Sequence, residues 1–476
     1  MGIADGQKTG IIESLKRHPA GFWFIFWGEL AERCAYYGVR ALFVLYMVNE
    51  LFVDTIPDRE ARGEWAQLVA YIFKAACYFT PLLGGLIADR YLGKYWTIVG
   101  FAVPYVLGPV LLGVPIHWVY YFGLGILTIG TGVIKPNIST LMGMTYDQKR
   151  PGETQLRSDA FFMFYFAINV GSTFSFAVLP VIAHRFGYAV GFAIPSVLMA
   201  AALLFFALGK KHYAIEVIER RQATPEEKAE RRQVLARIFG VFAMIVLWWS
   251  VYDQNDVTWT LFIQDQVNLH ILGMELLPNQ PQSLNPILIL ILVPLINLFF
   301  KWIDPSGQRF PATRKIMIGF LIMALTAGVM SVAGFLATST GARVSMWWIV
   351  LAFFLLTTSE VLVSTVGLEL AFTAAPNSMK SFITACFLLT VFFGNLADIG
   401  IVRLYAPLGP GPFFALLAAV MVALAVGIVP IGRKFNRSAA AQAPAGAMAP
   451  ATAVADGGMP DEAVMAQEGV TGGKHG

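Results

Sequence analysis

The chain has 476 residues, of which 57% are hydrophobic and 13% charged, and its formal net charge is +4. That balance excludes an ordinary soluble domain and points to an integral membrane protein, while the absence of a basic patch argues against a nucleic-acid partner. Cys34, Cys77 and Cys386 all lie in apolar runs without metal-ligand spacing, so they are read as packing residues.

Residues 1 to 20 are mostly polar, and the apolar run that follows is too long for the core of a cleavable signal. It is read as the first of about twelve helical spans, each near the length a bilayer demands. The expected N-terminal bundle, residues 1–208, has spans near 22–50, 66–91, 95–115, 118–145, 158–183 and 187–208. A charged linker at 209–237 follows, and a second bundle at 238–437 has spans near 238–265, 284–303, 313–337, 344–374, 379–405 and 411–433. Residues 438–476, rich in Ala, Gly and Pro without apolar periodicity, are expected to be a disordered tail.

Basic residues gather in alternate loops: Lys8, Lys16 and Arg17, then Arg90 and Lys94, then Lys149, Arg150 and Arg157, then the linker, and again at Lys301, Arg309, Arg314 and Lys315. The opposite loops hold only scattered cations such as Arg59, Arg185 and Arg343. By the positive-inside rule both termini and the linker are cytoplasmic.

The first span carries Glu29, Glu32, Arg33 and Arg40 through an otherwise apolar run. A charge in lipid costs about 3 kcal/mol on insertion scales and more on others, so these side chains face a protein interior. At helical spacing Glu29, Arg33, Tyr36 or Tyr37, and Arg40 share one stripe, with Glu32 beside it. Two carboxylates flanking a guanidinium can hold a proton that Arg33 itself cannot release, which makes a proton-coupling site; a static ion cluster that fixes helix packing is the plainer alternative.

Between spans two and three, the segment from Gly85 through Asp89 and Arg90 to Lys94 is similar to the cytoplasmic loop signature of the major facilitator superfamily. The first-span pattern of Glu29, Glu32, Arg33, Tyr36, Tyr37, Gly38 and Arg40 resembles the hallmark of one of its branches, the proton-dependent oligopeptide transporter (POT/PTR) family. The segment from Phe161 through Tyr165 and Asn169 to Gly171 and Ser172 is similar to that family's second signature, and Lys135 to Ser139 to a third. The resemblance implies an all-α membrane fold of two six-helix bundles, a symporter importing di- and tripeptides across the cell membrane, and the proton gradient as drive, with no cofactor, no metal and no enzymatic activity.

It also implies roles. Glu29, Glu32, Arg33 and Asp253 would couple protons; Arg40 with Asp253 would form the external gate, and Lys135 with Glu360 the cytoplasmic one. Asp89, Arg90 and Lys94 would hold the cytoplasmic loop. Because a short peptide is a zwitterion, Arg40 and Lys135 suit its carboxylate and Glu360 its ammonium, and Arg33 is also expected among the substrate-binding residues. Asn169 and Asn285 suit its backbone; Tyr36, Tyr37, Tyr78, Trp249, Ser364 and Phe387 would complete the walls. Partners are then peptides, protons and lipid, with no nucleic acid, for a chain expected to be monomeric. A small-anion carrier such as one for nitrate, and a non-transporting peptide receptor, stand as alternatives. Phe387 departs from the Trp of many relatives, Asp256 stands where a small residue is commoner, and Lys74 is expected either to snorkel to the external interface, the favoured reading, or to enter the cavity.

Overall fold

A computed structural model describes residues 15–216, 224–305, 309–373 and 380–442. The N-terminal half consists of α1 Ala20–Tyr46, α2 Arg59–Ile87, α3 Gly93–Leu112, α4 His117–Lys149, α5 Thr154–Phe186 and α6 Tyr188–Leu208. The C-terminal half has α7 Pro225–Tyr252, α8 Thr258–Gln266, α9 Leu284–Ile303, α10 Ala312–Thr340, α11 Trp347–Glu360, α12 Val366–Thr373, α13 Lys380–Ile401, α14 Tyr405–Leu408 and α15 Pro410–Gln442. The expected tail lies outside the described residues beyond Gln442, as do residues 217–223 of the linker.

Nine stretches among the described residues are long and apolar enough to cross a membrane, with Arg59–Leu112 counted as one. The charged helix α1 is not among them, which fits the sequence pattern: its polar stripe is buried in protein, so it does not need a wholly apolar surface. Each half builds its own core. In the first, α1 runs beside α5 and α6 while α3 pairs with α4; in the second, α10 packs along α11 and α15. The halves meet where α2 lies on α13 and α5 on α9.

Small residues set the close approaches. At Gly84 on α2 an added Cβ would meet the Val133 Cα of α4 at 2.6 Å, and Asn137 on α4 donates to the Gly84 carbonyl at 3.2 Å. At Gly171 on α5 an added Cβ would meet the Arg33 Cβ and the Leu30 carbonyl of α1, each at 3.0 Å. The glycine in the Tyr165–Ser172 signature thus brings α5 against the charged stripe of α1.

The seventh span is broken. Asp253–Asn255 form a tight 3-10 turn between α7 and α8, which aims several polar side chains inward from one short segment. The tenth span continues beyond α11 through a π-helical turn, Val361–Thr365, placed directly after Glu360. A parallel bridge, β1 Val267–Asn268 with β4 Val344–Ser345, and a small hairpin, β2 His270–Ile271 with β3 Met274–Glu275, cover the end of the molecule where Arg59 lies. The hairpin turns through Leu272 and Gly273, both at positive φ.

Candidate functional site

A cavity of about 1270 Å³, a figure that includes the space where it meets solvent, lies between the halves. The N-terminal half supplies Tyr37 and Arg40 from α1, Tyr78 from α2, Lys135 from α4 and Asn169 from α5; the C-terminal half supplies Trp249, Asp253 and Asp256 around the break in the seventh span, Asn285 from α9 and Glu360 from α11. Residues scattered over more than 300 positions of sequence are therefore brought to one space, as expected.

Below it on α1 lies the buried cluster. Arg33 Nε is 2.9 Å from Glu29 Oε1, and its Nη2 also pairs with Glu32; none of the three side chains is more than 2% exposed. Tyr105 of α3, fully buried, lies beside Glu32 together with Thr131 of α4. All these residues belong to one half. Arg33 does not line the cavity, contrary to its expected part in substrate binding; its guanidinium is taken up by its own carboxylates. Tyr36 is also set back, 1% exposed, with its ring beneath the Lys135 ammonium at 4.0 Å.

At the opposite end of the cavity the expected pairing is changed. Arg40 Nη2 lies 2.5 Å from Asp256 Oδ2, with its Nε at 3.2 Å. Asp253 instead accepts from the Lys74 ammonium at 2.6 Å and from Asn395 Nδ2 at 2.7 Å, and Lys74 also lies 3.3 Å from Asp256. Lys74 is 1% exposed, so it does not snorkel to an interface. The physical reason is reach. The break at Asp253–Asn255 presents two carboxylates to two different helices of the other half, and α2 passes close enough for Lys74 to take the first while Arg40 on α1 takes the second.

More cross-half contacts gather at this end. Thr258 bonds Gln67 at 3.0 Å and Tyr71 at 3.3 Å, Gln280 donates to the Ala177 carbonyl at 2.8 Å, Asn279 donates to the Ala41 carbonyl, and Arg59 pairs with Asp265. The cavity is thus roofed at the Arg59 end by paired charges and hydrogen bonds.

On the remaining walls, Asn285 Nδ2 donates to Glu360 Oε2 at 2.7 Å and to Thr357 at 3.2 Å, which orients the carboxylate. Asn169 donates to the Tyr165 carbonyl of its own helix at 2.9 Å. The Trp249 indole N–H, 5% exposed, lines the cavity and meets no acceptor among the described residues. Two expected wall residues are elsewhere. Phe387 is fully buried against Phe242 at a ring distance of 5.8 Å, leaving Leu388 to face the cavity, and Ser364, 3% exposed within the π turn, is not among the lining residues. A π turn rotates the residues after Glu360 relative to regular helical phase, which removes Ser364 from the face that four-residue spacing predicts.

At the linker end, Lys94 Nζ pairs with Asp89 at 2.6 Å, while Arg90 is exposed. The sequence marks no site in the linker. Yet Glu216 accepts the backbone N–H of Lys94 at 2.5 Å, and so caps the first turn of α3. Burial pushes the Glu216 carboxyl above its ordinary range, opposed by the Lys94 bond and charge.

Comparison with known proteins places this arrangement. The sequence model of the POT family matches residues 95–221 and 214–408. The chain belongs to the POT family. Solute carrier family 15 member 2 of Homo sapiens is 30% identical over 365 residues, covering 66% of this chain and 48% of the human protein. Peptide transporter family 1 of Drosophila melanogaster is 30% identical over 357 residues, covering 65% of this chain and 46% of that protein. The chain thus spans about half the length of the curated relatives it matches. The crystal structure of the POT family transporter PepTSo superposes with a TM-score of 0.79 at 28% identity, covering 88% of this chain and 99% of that one. POT membership accounts for the helical membrane fold of paired bundles.

Signals missed from sequence include Tyr105, Gln254, Asn395 and Asp398. Asn395 and Asp398 stand three residues apart in an apolar run, and an ionisable residue inside such a run is a pointer to function that could have singled out Asp398.

Proposed function

We propose that this chain is a proton-coupled symporter that moves di- and tripeptides into the cell by alternating access, with both termini and the linker on the cytoplasmic side of the cell membrane. The observation that carries the reading is an inter-half cavity holding the Arg40 and Lys135 cations, the Glu360 carboxylate, the Asn169 and Asn285 amides and an indole donor that meets no acceptor among the described residues. A zwitterion with an amide in its middle needs this set: cations for its carboxylate, an anion for its ammonium and neutral donors and acceptors for its backbone.

In this reading the Arg59 end is external and closed, and the cavity faces the cytoplasm. Arg40 with Asp256 and Lys74 with Asp253 form the external gate, and Lys135 with Glu360 acts at the cytoplasmic side. The Glu29–Glu32–Arg33 cluster and Asp253 exchange protons, and Asp89, Arg90 and Lys94 hold the cytoplasmic loop. A peptide carboxylate arriving at Arg40 competes with Asp256, so binding and gate opening share one cation; the coupling is a difference in affinity between two arrangements.

The test is uptake of a labelled dipeptide into liposomes with an acidic exterior. Accumulation above equilibrium that unlabelled di- and tripeptides abolish is expected, and Lys135→Ala should reduce it about tenfold or more. Uptake of nitrate in place of peptide would overturn the substrate class, whereas binding of peptide without uptake would make the protein a receptor.

A further inference from the structure

Beyond the residues to which the proposed mechanism assigns protons, a third carboxylate enters the cross-half cluster. Asp398 on α13 is 0% exposed. Its Oδ1 accepts from Gln254 Nε2 at 2.8 Å, while its Oδ2 is buried with no hydrogen-bond partner among the described residues. A buried ionised carboxylate with one oxygen left bare is a costly arrangement, and a proton on that oxygen removes the charge that makes it so.

Charge counting points the same way. The groups that face Asp398 are Asp253, next to it and tied to the same helix through Asn395, the Lys74 ammonium and the Tyr71 hydroxyl of α2. Beyond Lys74 the cluster continues to Asp256 and Arg40. Two cations thus stand among three acids. Lys74 and Arg40 each have a carboxylate at ion-pair distance, Asp253 and Asp256 respectively, and Asp398 is the acid that, among the described residues, receives only a neutral amide. We infer that Asp398 holds a proton in this closed arrangement and is a proton-binding site separate from the Glu29–Glu32–Arg33 cluster.

The division between halves gives the proton a consequence. Both cations, Arg40 and Lys74, ride on α1 and α2, whereas all three acids ride on the C-terminal half. Parting the halves at the Arg59 end withdraws the cations together and leaves Asp253, Asp256 and Asp398 facing one another. Like charges so close resist simultaneous ionisation, so the open arrangement binds protons more tightly than the closed one and keeps the proton on Asp398. This functional consequence rests on the transport reading; the protonation itself does not.

Infrared spectroscopy of the purified full-length protein at neutral pH separates the two. A protonated buried carboxyl gives an acid carbonyl band above the amide region that shifts in heavy water. The wild type should show it and Asp398→Asn should lose intensity there; an unchanged spectrum, or no such band in the wild type, overturns the inference. Should the Asn variant fail to fold, Asp398→Glu keeps the acid and should move the band to a new frequency, and a band that stays in place is equally fatal. In liposomes, the ratio of gradient-driven accumulation to gradient-free exchange should fall about tenfold in Asp398→Asn. An unchanged ratio removes Asp398 from coupling, while a wild type that moves no peptide at all would overturn the transport reading and leave the spectral result standing.

Discussion

Helix α1 carries two buried ion clusters that differ in the origin of their charges. Glu29, Glu32 and Arg33 all lie on α1 itself, enclosed by α3, α4 and α5 of the same half. Arg40, a little further along, meets Asp256 of the other half, beside the cross-half pair of Lys74 and Asp253. Parting the halves does not separate the members of the first cluster, whereas it pulls those of the second apart. Loss of a charge should therefore appear as lost stability in the first and as a shifted conformational balance in the second.

The largest effect should come from Arg33→Met, which strands two buried carboxylates and should cost about 3–5 kcal/mol of stability. Thermal melting of the purified protein measures it, and neutralising Glu29 and Glu32 to Gln in the same chain should restore most of the loss. An undiminished melting temperature in the single variant would erase the contrast between the clusters. Next, Lys74→Met should lower melting less than Arg33→Met, because the stranded acids can be relieved by opening, and should raise the population of the arrangement open at the Arg59 end by about tenfold or more. Spin-label distances between the Asn49 and Asp265 regions report that population; a distance distribution identical to the wild type would show that the pair does not hold the halves.

Glu32→Gln sharpens the comparison from the other direction. Gradient-driven accumulation should fall about tenfold while some peptide exchange persists, because the site loses a titratable group without stranding a charge. Full accumulation in that variant would assign the proton elsewhere.

The smallest effect lies at the linker end of α1. His18 is buried, stacked on Phe22 at 4.7 Å, and its Nδ1 is 2.5 Å from the Tyr146 hydroxyl. Burial lowers its pKa below the ordinary 6.5, opposed by Asp159 and reinforced by Arg17 and Arg150. The unfolded chain then binds the proton more readily, so stability is intact above pH 6.5 and falls as the pH drops from there through the folded-state value. Melting between neutral and mildly acidic pH should show this slope, and His18→Gln should flatten it; since α1 and α4 belong to one half, the spin-label distances should not follow.

The helical membrane class and the family signatures could be read in the sequence, because apolar length and charged stripes are local patterns. So could the meeting of Arg40, Lys135, Asn169, Asn285 and Glu360 at one cavity, through the family resemblance. The partners of Arg40 could not. Asp253 and Asp256 lie on a broken segment, where helical spacing ceases to predict direction, and the choice between them depends on where α2 passes. Ser364 escapes the sequence for a similar reason, since the π turn after Glu360 changes the phase on which the four-residue step relies. For Lys74 the sequence leaves the interface and the cavity open, because it shows the length of the stem but not the carboxylate within its reach.

Helix α1 runs unbroken from Ala20 to Tyr46, with no proline inside it. Arg33 and Arg40 are therefore fixed about 10 Å apart along one rigid rod. A tilt of that rod that draws Arg40 from Asp256 must also displace Arg33 and its two carboxylates against Tyr105 and Thr131. News of an opening gate can thus arrive at the acid cluster as a mechanical displacement, with no relay of intervening side chains.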